Sequence, residues 1–76
     1  MADARLVLDA LGGQQNVLSL EPCITRLRVE VRQHKIIDED ALRNAGAFGV
    51  VRAGTTVQVI VGPQADALAQ EIGELK

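Results

Sequence analysis

The stretch from Thr25 to Val31 restricts the fold more than any other, because charged and aliphatic side chains alternate along it from Arg26 onward. Its large aliphatic side chains share one parity: Leu27, Val29 and Val31. Alternate side chains of an extended chain point to opposite faces of a sheet. The pattern therefore predicts a half-buried β-strand, with one face on a core and a charged face toward solvent.

Three segments carry apolar residues at helical spacing, which predicts three amphipathic helices. The first runs from Asp3 to Leu11, with Asp3 in its first turn, and the glycine pair that follows is expected to end it. The second begins at Asp38 as the N-cap residue and ends just before Gly46. The third follows Gly62-Pro63 and extends close to the end of the chain.

Three further short segments are predicted to be strands. Val17 to Leu20 is an apolar run, and Glu21-Pro22 is expected to break it, so that Cys23 falls at a turn. Gly49 to Arg52 and Thr56 to Val61 are separated by a glycine-containing turn and are expected to form a hairpin.

The elements follow the order αββαββα in a single predicted domain, residues 1–76. Short links between successive strands favour antiparallel hairpins, and three amphipathic helices need one sheet face to cover. We therefore predict an α+β fold, a two-layer split sandwich whose four-stranded, mainly antiparallel sheet carries three helices on one face. The other face is open, and it carries the charged parity of the central strand: Arg26, Arg28, Glu30 and Arg32.

Composition argues against several classes of function. A formal net charge of −2 and a single aromatic residue, Phe48, disfavour nucleic-acid binding. One cysteine and one histidine cannot build a disulfide or a zinc site, and a free thiol suits the reducing cytoplasm. No apolar run approaches the ~18 residues of a membrane span, and the first residues lack the pattern of a signal peptide.

The single cysteine, Cys23, begins the hexapeptide Cys-Ile-Thr-Arg-Leu-Arg, which ends at Arg28. Arg26 and Arg28 leave the same face of an extended strand. Guanidinium groups beside a thiol favour its anionic form, and their fork-shaped donors fit a doubly charged phosphoryl group. The hexapeptide is therefore a candidate site for phosphoryl chemistry, and a buried structural cysteine is the alternative.

Taken together, these motifs resemble the enzyme IIB domain of the glucose/N-acetylglucosamine family of the bacterial phosphoenolpyruvate-dependent sugar phosphotransferase system. The resemblance covers nearly the whole chain in the family's order. The matching pieces are Leu11-Gly12-Gly13 with Asn16-Val17, the hexapeptide from Cys23, Asp38 with Leu42, and the runs Gly46 to Val51 and Val57 to Gly62. Pro22 departs from the family, in which smaller or polar residues precede the cysteine, and this leaves the turn geometry open.

The resemblance implies that Cys23 accepts a phosphoryl group from a histidine of a IIA domain. It then donates the group to a sugar held by the membrane-embedded IIC domain, as a phosphotransferase component at the inner face of the membrane. Arg26 and Arg28 carry over as the family's two arginines, and backbone N–H groups of Ile24 and Thr25 would add donors to the phosphoryl oxygens. No metal or cofactor is expected, because the phosphoryl group comes from phosphoenolpyruvate through the relay.

Several questions stay open at the level of sequence. Glucose and N-acetylglucosamine are not distinguished, and oligomeric state is not readable. A docking module whose cationic face binds a regulator is the alternative function, and a redox-sensing thiol is disfavoured because no second cysteine exists. Arg32 and Gln58 have no assigned role, and His34 is predicted to be a surface residue. The start at Met1-Ala2 and the end after a helix favour a separate subunit.

Overall fold

The computed structural model describes residues 2–75, so that Met1 and Lys76 of the predicted domain lie outside the described residues. The elements are helix α1 (Ala4–Ala10), strands β1 (Val17–Cys23) and β2 (Arg26–Val31), helix α2 (Glu39–Asn44), strands β3 (Gly49–Ala53) and β4 (Thr56–Ile60), and helix α3 (Ala65–Glu74). The predicted α+β class and the order αββαββα are confirmed. A short 3-10 turn, His34–Ile36, lies in the link between β2 and α2.

The strands form one sheet in the order β1-β2-β4-β3, and all three neighbouring pairs are antiparallel. Two hairpins, β1–β2 and β3–β4, are therefore joined side by side through their second strands. The connection through α2 carries the chain from β2 to the far edge of the sheet, which leaves β1 and β3 as the edge strands of the described residues.

The parity predicted for β2 is confirmed. Leu27, Val29 and Val31 are buried, and their neighbours Val57 and Val59 on β4 are buried as well. Helix α3 packs on β1 and β2, helix α2 contacts β3, and α1 packs on the other two helices. The three helices thus cover the aliphatic face of the sheet, and the face with the charged parity of β2 stays open.

Side-chain caps set the beginnings of two helices. The carboxylate of Asp38 accepts a hydrogen bond from the Ala41 N–H at 3.0 Å, as predicted for an N-cap residue. Asp3 was predicted in the first turn of α1, but it is the N-cap residue and accepts from the Leu6 N–H at 3.1 Å. The predicted and the observed position of Asp3 relative to the helix start are adjacent. In both, its carboxylate lies beside the unpaired N–H groups at the start of the helix.

Strand β1 is longer than predicted, because Glu21-Pro22 does not break it. Pro22 lies opposite Leu27 on an edge strand, next to the Cys23–Arg26 pair that flanks the turn. Residues beside a two-residue turn exchange hydrogen bonds, so the backbone nitrogen of the preceding residue points away from the partner strand. The missing N–H of proline therefore costs no bond of the ladder, and the strand continues to Cys23.

Candidate functional site

Cys23 lies at the tip of the first hairpin. It is the last residue of β1, it is exposed as a free thiol, and a two-residue turn of Ile24 and Thr25 joins it to Arg26 at the start of β2. Cys23 and Arg26 face each other across the hairpin. The thiol was predicted to fall at a turn, and the structure places it directly before one, where a reaction partner can approach it.

The turn has a strained backbone. Ile24 has a φ of 58°, and it is the only residue other than glycine with positive φ among residues 2–75. The first position of a two-residue hairpin turn commonly requires positive φ and usually carries glycine, asparagine or aspartate. A β-branched residue there stores about 1–3 kcal/mol, and such strain is concentrated at functional sites. The Ile24 side chain is 88% exposed, so packing of that side chain does not compensate the strain.

Backbone hydrogen bonds from the end of β4 hold this turn in place. The carbonyl of Thr25 accepts from the N–H of Val61 and from the N–H of Gly62, both at 3.0 Å. Gly62 itself has a φ of 86°, a backbone conformation that glycine adopts readily. The tip that carries Cys23 is thereby anchored to a segment nearly forty residues further along the chain.

The amide groups of the turn are free to bind a ligand. Within residues 2–75, the N–H groups of Ile24 and Thr25 donate to no backbone or side-chain acceptor. Successive unpaired N–H groups in a turn form a concave site that favours anions. These are the two donors that the sequence predicted beside Cys23, and they lie immediately after it.

The open face of the sheet brings both predicted arginines to the thiol. Arg26 is directly opposite Cys23, and Arg28 is the next residue of the same parity, opposite Glu21. Direct cross-strand neighbours have Cβ atoms about 5 Å apart, and diagonal neighbours about 7–8 Å apart. Long guanidinium side chains span both separations, so Arg26 and Arg28 lie within reach of a group carried on the sulfur.

The two arginines differ in how they are held. Arg26 is half-buried, and its Nη1 donates to Oε1 of Gln58 at 3.0 Å. Arg28 is exposed, and its guanidinium makes no hydrogen bond or ion pair within residues 2–75. Gln58 was left without a role by the sequence, because its contact with Arg26 depends on β4 lying next to β2.

Two other residues considered from the sequence lie far from Cys23. Arg32 follows the end of β2, about 20 Å along the strand from Arg26, and its Nε donates to the Gln15 carbonyl at 3.3 Å. Arg32 therefore does not extend the cationic surface around the thiol. His34 lies in the 3-10 turn and is half-buried rather than fully at the surface; its carbonyl accepts from Arg52.

Large apolar side chains border the same tip. Ile24 is 88% exposed and Phe48 is 76% exposed. The Phe48 N–H donates to the Ile60 carbonyl at 2.8 Å, and its ring lies against Gly62, where an added Cβ would be 3.2 Å from a ring carbon. We call Ile24 and Phe48 the apolar rim. Exposed apolar surface of this kind marks interaction sites, and only the fold places Phe48 near the turn.

The described residues contain no group of three or more histidine, cysteine or acidic side chains placed to hold a metal ion. Among the helices within residues 2–75, none has the length and apolar character required to cross a bilayer.

Comparison with known proteins shows the family to which the chain is similar. The family model described as phosphotransferase system, EIIB, matches residues 5–38, which include Cys23 and both arginines. The N-acetylglucosamine-specific EIIB component of Streptomyces coelicolor is 46% identical over 72 residues, which cover 95% of this chain and 94% of that protein. The glucosamine-specific EIICBA component of Bacillus subtilis is 48% identical over 66 residues, which cover 87% of this chain and 10% of that protein.

A solved structure shares the fold. One domain of the phosphotransferase-system IIabc component from Clostridium difficile superposes with a TM-score of 0.69, covering 97% of this chain and 85% of that chain at 23% sequence identity. The chain belongs to the EIIB family of the phosphotransferase system, because the similarity to the Streptomyces relative extends over nearly all of both chains. The resemblance inferred from the motifs is confirmed.

The relatives differ in how much they contain besides this domain. The chain spans only 10% of the length of the EIICBA components, and these relatives join an EIIB region to EIIC and EIIA regions in one protein. In those relatives, EIIB is therefore covalently joined to EIIC and EIIA.

Proposed function

We propose that this chain is the IIB component of a sugar phosphotransferase system and carries the phosphoryl group on Cys23. The observation that carries the proposal is the hairpin tip. An exposed thiol is followed there by two unpaired backbone N–H groups, and two arginines project from the adjacent strand on the same open side of the sheet. Phosphoryl transfer requires mainly positioning and positive charge around the phosphoryl oxygens, and the tip supplies both.

The reaction has two steps. In the first, the Cys23 thiolate attacks the phosphorus of a phosphohistidine on the IIA partner; an S–P bond forms, the N–P bond breaks, and the imidazole leaves. In the second, a sugar hydroxyl attacks the same phosphorus while its proton passes to a base of the IIC component that holds the sugar. The S–P bond breaks and the thiolate is restored. Neither step changes an oxidation state, and the proposal invokes no metal or cofactor.

The residues of the tip would contact the phosphoryl group from two directions. The N–H groups of Ile24 and Thr25 donate to phosphoryl oxygens from the turn, and the guanidinium groups of Arg26 and Arg28 stabilise the dianion from the sheet. Lysine would place a point charge there, whereas arginine donates two parallel hydrogen bonds to one phosphoryl group.

The apolar rim, Ile24 and Phe48, would contact the partners at the moment of transfer. Both side chains project at the tip next to the thiol, and docking there would exclude water from the phosphoryl group. The partners are a IIA protein or domain and a membrane IIC component, so that the chain acts at the inner face of the membrane. The Streptomyces relative, whose similarity extends over nearly all of both chains, is named for N-acetylglucosamine, and we infer a sugar of that type.

The experiment that tests this function is intact-protein mass spectrometry after incubation with phosphoenolpyruvate, the upstream phosphocarrier proteins and IIA. Wild type is compared with Cys23→Ser. A gain of one phosphoryl group in wild type alone supports the relay and its residue. A gain in both proteins moves the site elsewhere, with His34 examined first. No gain in either, with competent upstream proteins, overturns the relay and favours a docking module that binds a regulator.

A further inference from the structure

The two edge strands of the sheet differ in how well they are protected against the addition of another strand. Strand β1 contains Pro22, whose nitrogen points to the open edge, and a bulge between Val17 and Ser19. Both features hinder further pairing. Strand β3 has neither, because its ladder with β4 runs without a shift in register from Gly49 to Ala53. The β3 edge is therefore the side of the sheet to which a further strand can be added.

The register of β4 determines which backbone groups of β3 point outward. The Val61 N–H donates to the Thr25 carbonyl, on the side of β2. Because bonding sides alternate along a strand, the even-numbered residues of β4 bond to β3. The residues of β3 that lie between their partners, Val50 and Arg52, therefore turn their N–H and C=O groups to the open edge. Within residues 2–75, these outward backbone groups have no hydrogen-bond partner.

The side chains of β3 leave this edge accessible. A charged side chain on an edge strand usually discourages pairing, but the guanidinium of Arg52 is held elsewhere. It pairs with Oε2 of Glu39 at 2.9 Å and donates to the His34 carbonyl. On the open face of the sheet, β3 presents Val51, which is 45% exposed. The edge thus combines unpaired backbone groups with an exposed aliphatic side chain.

A second copy of β3 fits this edge in one antiparallel register. Antiparallel strands exchange hydrogen bonds between residues whose backbone groups point toward each other. If Val50 of one copy lies opposite Arg52 of the second copy, two-fold symmetry repeats the pair, and all the outward groups are bonded. The axis then passes through a pair of facing Val51 residues, and no like charges lie directly opposite each other. Other antiparallel registers leave some of the outward groups unpaired.

We propose that two copies of this chain associate through β3 and join their sheets into one continuous antiparallel sheet. The seam is short and buries less than the about 1,200 Å² of stable interfaces, so the dimer is weak and reversible. Cys23 lies on β1, at the opposite edge of each sheet from β3. Both thiols therefore stay accessible in the dimer, and the inference does not rest on the phosphoryl relay.

Disulfide cross-linking tests the register. Each variant also carries Cys23→Ser, so that the introduced cysteine is the only thiol of the chain. Val51→Cys brings two cysteines together at the axis, with Cα atoms about 4.5 Å apart, which a disulfide can bridge. Ala53→Cys is the matched control, because this position is exposed on the same face but lies about 13 Å from its symmetry mate. Under a mild oxidant, we expect Val51→Cys to form the covalent dimer at least about 10-fold faster.

Sedimentation velocity measures the association itself, under reducing conditions and from micromolar to millimolar protein concentration. We expect the sedimentation coefficient to rise with concentration for wild type and for Val51→Thr, which keeps a β-branched side chain at the axis. Val51→Lys places two like charges opposite each other there, and we expect this variant to stay monomeric. Thermal unfolding of every variant shows whether it is folded.

Three results would overturn the proposal. Wild type that stays monomeric at millimolar concentration leaves the β3 edge to an extended segment of a different protein. Equal cross-linking rates of Val51→Cys and Ala53→Cys indicate random collision rather than a defined register. A dimer that persists in Val51→Lys associates through another surface. Phosphorylation of Cys23 is not a readout in these experiments, so the relay and the dimer are tested separately.

Discussion

At the scale of single residues, the two arginines of the site have different surroundings although they project from the same face of one strand. Arg26 and Arg28 share a parity of β2, but only Arg26 is held by a partner. Arg28 remains exposed and unpaired within the described residues, so it is free to adjust to the phosphoryl group and to an incoming partner. We therefore expect both arginines to matter for transfer and neither to matter much for folding.

Arg26→Lys and Arg28→Lys should each retain the fold and slow sugar phosphorylation by about 10- to 100-fold, because a lysine loses the paired hydrogen bonds of a guanidinium group. The measurement is the rate of sugar phosphorylation with membranes that contain the IIC component. Arg32→Lys is the control, since Arg32 follows the same strand at its other end. Wild-type rates in both site variants would remove the arginines from the mechanism.

At the scale of secondary-structure elements, β2 serves the core and the site with opposite faces. Leu27 lies between the two arginines in sequence, yet it is 0% exposed and packs beneath the helices. Packing of Leu27 in the core fixes the backbone of β2, and this backbone sets the face and the spacing from which Arg26 and Arg28 project.

Leu27→Ala should lower the free energy of unfolding by about 2–5 kcal/mol, as expected for a large-to-small change in a packed core. Urea denaturation of the purified domain measures this change. Leu18→Ala is the control, because Leu18 is an aliphatic side chain of the neighbouring strand that is 54% exposed. Equal stability of Leu27→Ala and wild type would mean that the faces of β2 are reversed.

The predicted end of edge strand β1 was wrong. Proline was expected to end the strand, and only the register of the hairpin reveals that the Pro22 nitrogen points to the open edge. A bulge between Val17 and Ser19 shifts the register of the same strand. Such an extra residue reorients the side chains that follow it, so simple alternation does not describe this strand.

At the scale of the whole molecule, the topology gathers distant segments at one end of the sheet. The end of β1 and the start of β2 meet the end of β4 and the start of β3 there. Cys23 therefore lies near the anchoring amide of Gly62 and near the apolar rim residue Phe48. A reaction partner that docks on this end meets the thiol, the arginines and the apolar rim together.

Phe48→Ser should raise the KM for phosphorylated IIA by about 5-fold or more, because an exposed aromatic side chain that becomes buried in an interface commonly contributes at least about 1 kcal/mol to binding. Its stability should change little, since 76% of the side chain is already exposed. Phosphorylation of Cys23 at varied IIA concentration provides the measurement. Leu18→Ser removes an exposed apolar residue elsewhere on the domain, and an equal rise in KM there would contradict a docking role.

What the sequence determined by itself was the local pattern and the chemistry of the hexapeptide. Alternation along β2 follows from the two-residue period of a strand, and the same period puts Arg26 and Arg28 on one face whatever the rest of the fold does. The helix starts at Asp3 and Asp38 were also readable within one residue, because capping is a local interaction.

Only the tertiary structure decided which residues of other strands complete the site. Gln58 reaches Arg26 because β4 pairs with β2, and the Thr25 carbonyl is anchored by Val61 and Gly62 because β4 ends beside the turn. These contacts join positions more than thirty residues apart, and their geometry depends on strand order and register. Strand order and register are set by the burial of all the aliphatic faces together, which no local stretch of the chain specifies.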